Sequence, residues 1–421
     1  MPPSIVVYGA TAFAAATLLT YLDTHPDGHD FNFILAGRNR SSLETANAKL
    51  SRQREIIVVE LSDEQGVREL VGKADVVMNL AGPFGPHNAI ALIKCCAETG
   101  THYVDISAEA TWLATAIIPK YDYLASKTGA CIVPSCGFDS VPSDLVVYHA
   151  LQHLQTVSPG ASIKQSTSFF RLKGTFSGGT LATLADRATP PIRRDTPRTQ
   201  LLYTLSNPSL PRTMTGSYFF MYPHNRCIVR RSWWLSRIPI SSFLNSNASI
   251  GDSNEPKHGD EMVYRESLEW PNSLMAYLAS GILFGFAGLF FASRVFRRFM
   301  RWLLPPGSGA SLEELKRGSS KITNVSISDS NPPIQILTTA YGEGDPGYLN
   351  TGHLVAESAL SLILQPPKGT SLPPLGRVGG VLTPSTAMGM VLVERLKKSG
   401  KFVIHTEVIN GTLEREGKKR I

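Results

Sequence analysis

The sequence is short of the residues that mark disulfide-bonded and metal-binding proteins. Its 421 residues include only five cysteines, an odd number with no Cys-x-x-Cys pair, and its ten histidines show no His-Glu-x-x-His spacing. Secreted disulfide scaffolds and zinc sites both depend on such spacings. The sequence therefore predicts a protein of a reducing compartment, with no disulfide framework and no metal site.

Charge is scarce as well. Asp, Glu, Lys and Arg make up 18% of the chain, and the net charge of +7 is spread without a long basic run. This modest excess suits an anionic cofactor or an anionic membrane surface, whereas a nucleic-acid-binding domain would carry a denser basic stripe. Hydrophobic residues at 43% are typical of a globular chain, and the length favours two domains. We expect no nucleic-acid partner.

The N-terminus lacks the basic side chains with which a secretory signal peptide begins. Residues 1–4 carry none, although the apolar stretch behind them contains an Ala-Phe-Ala sequence that resembles a cleavage site. The alternative is a β-rich run at residues 5–8, followed by Gly9 and by leucines at helical spacing up to Leu22. Strand, glycine turn and helix form the opening of a dinucleotide-binding domain. We therefore predict that the protein is not secreted.

Most glycines of the dinucleotide-binding fingerprint are missing. A Gly-x-x-Gly-x-x-Gly sequence would place glycines at 9, 12 and 15, but the chain has Gly9, Ala12 and Ala15. In the full fingerprint the first glycine allows the tight turn, the second lets the pyrophosphate approach, and the third lets the helix pack on the strand. On its own this segment fits either a nucleotide site or a strand-turn-helix unit that binds none. The predicted cofactor-binding residues of this turn are Gly9, Ala10, Thr11, Ala12 and Phe13.

The second apolar run, residues 31–39, ends in Gly37, Arg38 and Asn39. An NAD-selective site carries an Asp or Glu near this point for the ribose 2′-hydroxyl, whereas a guanidinium binds a 2′-phosphate through two parallel hydrogen bonds. Arg38 therefore predicts NADP(H), with Asn39 beside it in the site. A solvated arginine after a strand is the alternative.

Further apolar runs alternate with helical segments as far as residue 137. They lie at residues 56–61, 74–85, 102–107 and 130–137. Cofactors of open α/β sheets bind at the carboxyl edge of the strands. The Gly/Pro-rich loop over residues 79–85 is therefore predicted to pass the central or nicotinamide part of the cofactor. Its predicted contacts are Ala81, Gly82 and Pro83.

Several longer motifs follow one another along the chain. They are GATAFAA, LAGRN, NLAGPFGPHN, CAETGTHYVDISAE, CGFDSVPSDL, FSGGTLATL, LPPGSG, GDPGYLNTGHLVAESAL and GGVLTPSTAMG. In these motifs and their order the chain resembles the saccharopine dehydrogenase-like oxidoreductases, including the trans-acting enoyl reductases, almost from end to end. Ala12 and Ala15 depart from the family's first motif.

The resemblance implies an α/β fold with an N-terminal Rossmann-like parallel sheet, a second α+β domain and a long apolar helix. The NADP(H)-binding domain would cover residues 1–145, the substrate domain 146–345, and a C-terminal segment, 346–421, would pack back on the core. The implied activity is NADP(H)-dependent reduction of an activated carbon–carbon double bond on a lipid or polyketide chain. The alternative is a catalytically inactive scaffold that keeps this fold at a membrane or lipid droplet.

Hydride transfer needs a group that polarises or protonates the acceptor, and such a group should follow a strand of the parallel sheet. Asp139 and Ser140, in CGFDSVP, meet that condition, and we predict them as catalytic residues. An aspartate that caps the helix beginning near Val141 is the alternative. Asp105 and Glu109 are open to the same two interpretations. In the second domain, residues 218–223 and 261–270 are predicted strands.

Only one long uncharged run occurs, at residues 274–292, and Arg294, Arg297, Arg298 and Arg301 follow it. A helix of this length nearly crosses a hydrocarbon core of about 30 Å. Because family motifs on both sides of the run must belong to one fold, we favour a helix that lies in one leaflet on the cytoplasmic face of a membrane or lipid droplet. A true span and a buried core or lid helix are the alternatives.

Overall fold

The computed structural model describes residues 2–82, 84–85, 88–174, 200–208, 210, 212–238, 262–303 and 310–409. These residues form two seven-stranded sheets, one parallel and one mixed, with helices packed against both. The motifs FSGGTLATL and LPPGSG lie outside the described residues.

The first sheet is the parallel Rossmann-like sheet predicted for the N-terminal part. Its strands run in the order β3-β2-β1-β4-β5-β6-β13, and the first six follow the 3-2-1-4-5-6 order of dinucleotide-binding domains. Each is a short apolar run, as expected of strands that are covered on both faces. The strands are β1 (Ser4–Tyr8), β2 (Asn32–Gly37), β3 (Ile56–Val58), β4 (Val76–Asn79), β5 (His102–Asp105), β6 (Cys131–Val133) and β13 (Gly380–Val381).

Alternate side chains of β1 enter two different cores. Ile5 and Val7 pack with helices on one face of the sheet, whereas Val6 and Tyr8 pack with those on the other. The helices that follow these strands are α1 (Phe13–Asp23), α2 (Arg40–Asn47), α3 (Glu64–Val71), α4 (Ile90–Thr99), α5 (Ala110–Trp112) and α6 (Ile118–Thr128), with a π-helical turn at Leu113–Ile117. Because both faces are covered by helices, a ligand must approach this sheet at its margins, and open α/β sheets bind their ligands at the carboxyl edge.

The second sheet has the order β14-β12-β11-β7-β10-β9-β8. Strand β10 runs parallel to β7, and the other described neighbours are antiparallel. The strands are β7 (Ile163–Lys173), β8 (Tyr203–Leu205), β9 (Met214–Tyr218), β10 (Val263–Trp270), β11 (Ser319–Ser328), β12 (Gln335–Glu343) and β14 (Phe402–Ile409).

Of the two strands predicted in this domain, the one at residues 261–270 is confirmed as β10. The strand predicted at 218–223 is wrong, because β9 ends at Tyr218 and helix α8 (Tyr222–Leu235) begins four residues later. Pro223 lies in the first turn of α8. Its fixed φ and missing N–H favour a helix start at this point.

Helix α7 (Val141–Val157) joins the two sheets. It begins after the loop that leaves β6 at the carboxyl edge of the first sheet, and it packs against β11, β12 and β14 of the second. Helix α8 in turn contacts α7 and β10. The loop at residues 134–140 therefore lies where the two sheets meet.

The C-terminal residues contribute to both sheets. Helix α12 packs on α1, β4 and β5, strand β13 extends the first sheet beside β6, and strand β14 pairs with β12 in the second. The helices of this part are α11 (Leu312–Lys316), α12 (Thr351–Ile363), α13 (Pro374–Val378), α14 (Pro384–Ala387) and α15 (Gly389–Ser399), with a π-helical turn at Pro346–Asn350.

The long apolar run forms helix α9 (Ser273–Ala292), and α10 (Arg294–Leu303) follows it. The side chain of Asn272 caps α9 by accepting a hydrogen bond from the Met275 amide (2.9 Å). Within the part of the chain that the structure describes, α9 is the one helix that is long and apolar enough to cross a membrane. Only 17% of its apolar stretch is buried inside the protein.

Candidate cofactor and active site

The turn after β1 is shaped so that only glycine fits at position 9. Gly9 has a φ of +77°, in the left-handed region, and its amide donates to the Ala36 carbonyl at the end of β2 (2.9 Å). A Cβ at this position would lie 2.7 Å from the amide nitrogen of Ala81 and 3.0 Å from the carbonyl carbon of Leu80. The loops after β1 and β4 therefore touch across a gap that admits no side chain. Such a cradle lets a pyrophosphate approach the backbone at the start of α1.

The two alanines of the fingerprint sit in ordinary backbone conformations. Ala12 is the N-cap of α1 with φ −66° and ψ 154°, which any residue adopts, and Ala15 is fully buried. Thr11 is exposed and Phe13 half-buried beside the same helix start. The first amides of α1 therefore keep the orientation and positive dipole end that bind a phosphate group. The residues present fit a dinucleotide.

We expect Ala12→Gly to leave NADPH affinity unchanged or raise it by no more than a few-fold. Removing the methyl widens the approach to the first turn of α1, and glycine is a better N-cap residue than alanine. The measurement is a calorimetric titration of both proteins with NADPH. A tenfold loss of affinity would show that the alanine methyl itself contacts the cofactor.

Arg38 lies just past the end of β2 and its guanidinium is exposed. Among the described residues it has no hydrogen-bonded or ion-paired partner, so it can bind an incoming anion. Burial raises the pKa of the nearby Tyr8 phenol, and the positive charge of Arg38 partly offsets that rise. Asn39 has a structural role, because its side chain caps α2 by accepting a hydrogen bond from the Ser42 amide (3.0 Å). The predicted contact of Asn39 with the cofactor stays a prediction.

Replacing Arg38 with alanine should lower the preference for NADPH over NADH by about 10- to 100-fold, which corresponds to about 1.5–3 kcal/mol for a charge-assisted contact. Parallel titrations with the two cofactors measure the ratio. Arg40→Ala is the matched control, since Arg40 is also exposed but faces Glu44 one turn along α2 (3.9 Å). An unchanged ratio in Arg38→Ala would mean that another group binds the 2′-phosphate.

A chain of buried hydrogen bonds fixes the start of the loop after β4. Asn79 accepts from the Ala81 amide (3.0 Å) and donates to the Tyr103 hydroxyl (3.1 Å), which donates to Asp105 (3.0 Å). Asp105 also accepts from the Ser135 amide (2.8 Å), so it ties the loops after β5 and β6 together. Burial raises the pKa of Asp105. Its bonds give Asp105 a structural role beneath the edge of the sheet.

Glu109 fixes the far end of the same loop. Its carboxylate accepts from the amides of Phe84 (2.9 Å) and Gly85 (3.1 Å). Gly82, next to the Ala81 amide, is exposed, whereas Pro83 lies outside the described residues. The described part of this loop therefore borders the Gly9 turn, as the prediction of a cofactor contact requires, although no ligand contact tests it.

Asp139 and Ser140 lie at the start of α7, where the two sheets meet. Ser140 is the N-cap residue, but its side chain makes no capping bond; it is fully buried, with its hydroxyl 3.4 Å from the amide oxygen of Asn225. Asp139 is half-buried and lies within electrostatic reach of the Glu266 carboxyl. Of the predicted pair, Asp139 is the one with surface left to meet a ligand.

Sequence reasoning missed the buried polar groups behind this loop. Glu266 on β10 has no exposed surface and accepts hydrogen bonds from Asn225 (2.8 Å) and from Ser143 of α7 (3.3 Å). Burial raises the pKa of Glu266 to about 8, with the charge of Asp139 adding to the rise. On α8, His224 is buried with its Nε2 3.1 Å from the hydroxyl of Ser135.

Comparisons with known proteins agree on the family. Residues 5–132 match the family model described as the saccharopine dehydrogenase NADP binding domain. A protein of Mycobacterium tuberculosis (strain H37Rv) named as a trans-acting enoyl reductase is 30% identical over 431 residues, which cover 94% of this chain and 96% of the relative. The trans-acting enoyl reductase of Mycobacterium ulcerans is 28% identical over 441 residues, 96% of this chain and 98% of its own.

The solved structures support the fold. Apo saccharopine dehydrogenase (L-Glu forming) from Saccharomyces cerevisiae matches with a TM-score of 0.50 and 12% identity, covering 97% of this chain and 100% of the yeast chain. At that identity the match shows the fold alone.

The Rossmann sheet, the glycine cradle and the NADP-binding family model define an NADP(H)-dependent oxidoreductase. Within that class, the chain belongs to the saccharopine dehydrogenase-like family, among relatives named as trans-acting enoyl reductases.

Proposed function

We propose that this enzyme reduces an activated carbon–carbon double bond on a lipid- or polyketide-type acceptor. One observation carries the proposal: the Gly9 cradle and the loop that holds Asp139 open from the same edge of the parallel sheet, at the junction with the second sheet. A dinucleotide held at the cradle would extend along that edge towards Asp139. The names of the mycobacterial relatives support the type of acceptor.

NADPH, when bound, supplies the hydride. The chain's own residues hold the cofactor, with the turn at Gly9 and the first amides of α1 against the pyrophosphate and Arg38 against the 2′-phosphate. The acceptor also needs a proton at the carbon next to its activating carbonyl. Asp139 is the candidate to handle that proton, because it is a titratable group with exposed surface at the end of the loop after β6.

The test is NADPH consumption with a panel of trans-2-enoyl thioesters of short and long acyl chains, with the saturated product identified by mass spectrometry. We expect turnover, faster for long chains than for short ones. Asp139→Asn should lower kcat with little change in the affinity for NADPH, because the loop after β6 lies three strands along the edge from the Gly9 turn after β1. NADPH binding without reduction of any enoyl thioester would contradict the proposed acceptor class.

We further propose that the protein works at the cytoplasmic face of a membrane or lipid droplet, bound through α9 and α10. These helices carry many exposed apolar side chains, namely Leu274, Leu278, Ile282, Leu289, Phe291, Val295, Phe299 and Trp302. Arg294 and Arg298 lie exposed on α10 among these side chains. An apolar face bordered by arginines matches the interface of a bilayer that contains anionic lipids.

The contacts of α9 favour a helix that lies in the surface over one that spans the bilayer. Ser280 donates to the Leu201 carbonyl (2.7 Å) and accepts from the Tyr218 amide (2.9 Å), so the middle of α9 is attached to the second sheet. One turn later the ring of Phe284 packs against that of Tyr218, tilted by 39° with 4.9 Å between centroids. A spanning helix would have to give up these bonds and expose polar backbone groups to lipid.

We expect the full-length protein to sediment with vesicles of phosphatidylcholine and phosphatidylserine, and less with phosphatidylcholine alone. The double substitution Ile282→Glu and Trp302→Glu should abolish sedimentation, because it places charge on side chains that are 73% and 76% exposed in the apolar face. Tyr123→Glu is the control, since Tyr123 is 75% exposed on α6 outside that face.

Two results would contradict this binding mode. Equal sedimentation of all variants would show that α9 and α10 do not bind the membrane. A C-terminal tag that is protected from protease in sealed vesicles, while an N-terminal tag is cleaved, would show that α9 spans the bilayer.

A further inference from the structure

A buried carboxylic acid lies directly behind the start of α7. Glu266 is on β10, and its Oε1 accepts from Asn225 Nδ2 (2.8 Å) and from Ser143 Oγ (3.3 Å). Its Oε2 lies 3.0 Å from the hydroxyl of Tyr264 on the same strand. No cation pairs with Glu266 among the residues that the structure describes. A carboxylate with this degree of burial and no counter-ion is strongly disfavoured.

The surroundings of Glu266 favour its uncharged form. Burial is the main cause that raises its pKa to about 8, the bonds from Asn225 and Tyr264 oppose the rise, and the charge of Asp139 adds to it. The titratable groups that act together with Glu266 are Asp139 from the loop before α7, Tyr264 on its own strand and Tyr222 on α8. Two cations, Arg226 on α8 and Arg265 on β10, lie close enough to Tyr222 to oppose the rise of its pKa.

The hydrogen-bond geometry suits a protonated acid. A proton on Oε2 of Glu266 can be donated to the oxygen of Tyr264, and the Tyr264 hydroxyl then has Ser168 Oγ as its own acceptor (3.5 Å). Oε1 remains free to accept from Asn225 and Ser143. Every polar atom of the acid then has a partner without any net charge in the cluster.

The same cluster reaches the loop at the carboxyl edge. Because the amide nitrogen of Asn225 is bound to Glu266, the amide oxygen of Asn225 must point the other way, where it lies 3.4 Å from the Ser140 hydroxyl. Ser140 is fully buried and follows Asp139 directly in the chain. Glu266, Asn225 and Ser140 thus form a chain of fixed orientation from β10 to the loop.

We propose that Glu266 is a positioning residue of the active site, which as an uncharged acid orients Asn225 and thereby holds Ser140 and Asp139 at the acceptor end of the nicotinamide. This inference rests on the proposed function for the identity of the acceptor. If Glu266 ionises, its negative charge and that of Asp139 repel each other, and we expect this repulsion to displace the loop. The site should therefore lose its geometry as the pH rises past the pKa of Glu266.

The first test needs only NADPH. The fluorescence of bound NADPH reports the surroundings of the nicotinamide, and we expect it to change in the wild-type protein as the pH rises through about 8. Glu266→Gln, which stays neutral and can still bind Asn225, should show no such change. Asp139→Asn removes one of the two repelling charges but keeps the buried acid, and it should also lose the response, which covers the case that Glu266→Gln does not fold.

Asp144→Asn is the matched control. Asp144 is a second buried acid of α7 with a raised pKa of about 6, but it bonds Ser232 (2.6 Å) and the Ser385 amide (2.8 Å) instead of the loop. This variant should keep the wild-type response to pH. An equal response in wild type and Glu266→Gln, or its loss in Asp144→Asn, would overturn the proposal.

The second test uses a trans-2-enoyl thioester as the acceptor. Between about pH 7 and about pH 9 the wild-type kcat should fall about tenfold, because an acid one pH unit above its pKa is about nine-tenths ionised. In Glu266→Gln the kcat should fall less than about twofold over the same pH range. If no enoyl thioester is reduced, the proposed function fails, while the fluorescence test still decides the role of Glu266. A tenfold fall in both proteins would overturn that role.

Discussion

Gly9→Ala should weaken NADPH binding by at least about 100-fold. The φ of +77° costs a residue with a side chain about 1–2 kcal/mol, and the new Cβ would lie 2.7 Å from the Ala81 amide nitrogen. That distance is too short to persist, so the loop after β4 must move away from the turn after β1. Because both loops border the same end of α1, the movement opens the cradle that receives the pyrophosphate. Calorimetric titration with NADPH measures the loss.

Gly129→Ala separates backbone strain from loss of the cradle. Gly129 has a similar φ of +85°, but a Cβ there meets nothing within 4 Å, and the residue ends α6 away from the turn. This variant should lose about 1–2 kcal/mol of unfolding free energy and keep its affinity for NADPH. An equal loss of affinity in both variants would show that strain alone explains Gly9→Ala.

Arg395→Ala should destabilise the fold by about 3–5 kcal/mol, a large part of the 5–15 kcal/mol that is typical of a domain. Arg395 Nε donates to the buried carboxylate of Glu357 (2.8 Å), which joins α12 to α15. His25, on the segment after α1, contacts the same carboxylate (2.9 Å). Without the guanidinium, Glu357 keeps its charge in a buried place. Urea unfolding monitored by tryptophan fluorescence measures the change.

Lys398→Ala tests whether burial causes that large effect. Lys398 pairs with Asp27 (3.0 Å) in the same cluster, but its side chain is 66% exposed, so its loss should cost at most about 1 kcal/mol. Equal effects from both variants would contradict the burial argument.

The Glu357 cluster also predicts how stability depends on pH. Burial acts to raise the pKa of Glu357, but the bond from His25 and the charge of Arg395 outweigh it and hold the pKa below its ordinary 4.5. A carboxylate with a lowered pKa in the folded state stabilises the fold in full above the unfolded pKa, and that contribution is lost as the pH falls through the folded one. We therefore expect the midpoint of urea unfolding to fall in acid below about pH 4.5, and to fall less in Glu357→Gln.

The first sheet could be predicted because its signals are local. Each strand is a short apolar run, Gly9 and Arg38 directly follow β1 and β2, and Asn79 is the last residue of β4. Their place at the carboxyl edge therefore follows from the strand direction. The sequence left open whether the turn accepts alanine at position 12, because the backbone conformation of a helix N-cap, here φ −66° and ψ 154°, is seen only in the structure.

The polar cluster at Glu266 could not be predicted because its parts are distant in sequence. Asn225 and Ser143 lie 41 and 123 residues from Glu266, and only the packing of α7 and α8 on β10 brings them together. One signal was present: Tyr264 and Glu266 are two residues apart in the strand, so their side chains lie on the same, buried face. An acid at a buried strand position is a candidate for a perturbed pKa. The burial of Ser140 depends on the same packing and carried no sequence signal.

The most direct measurement is the transfer of deuterium from NADPH labelled at the reacting carbon of the nicotinamide to a long-chain trans-2-enoyl thioester. An NADPH-dependent enoyl reductase places one deuterium per product molecule on the carbon β to the thioester carbonyl, and the yield should collapse in Gly9→Ala. A protein that binds NADPH and yields no labelled saturated product, or places the label elsewhere, would contradict the proposed reaction.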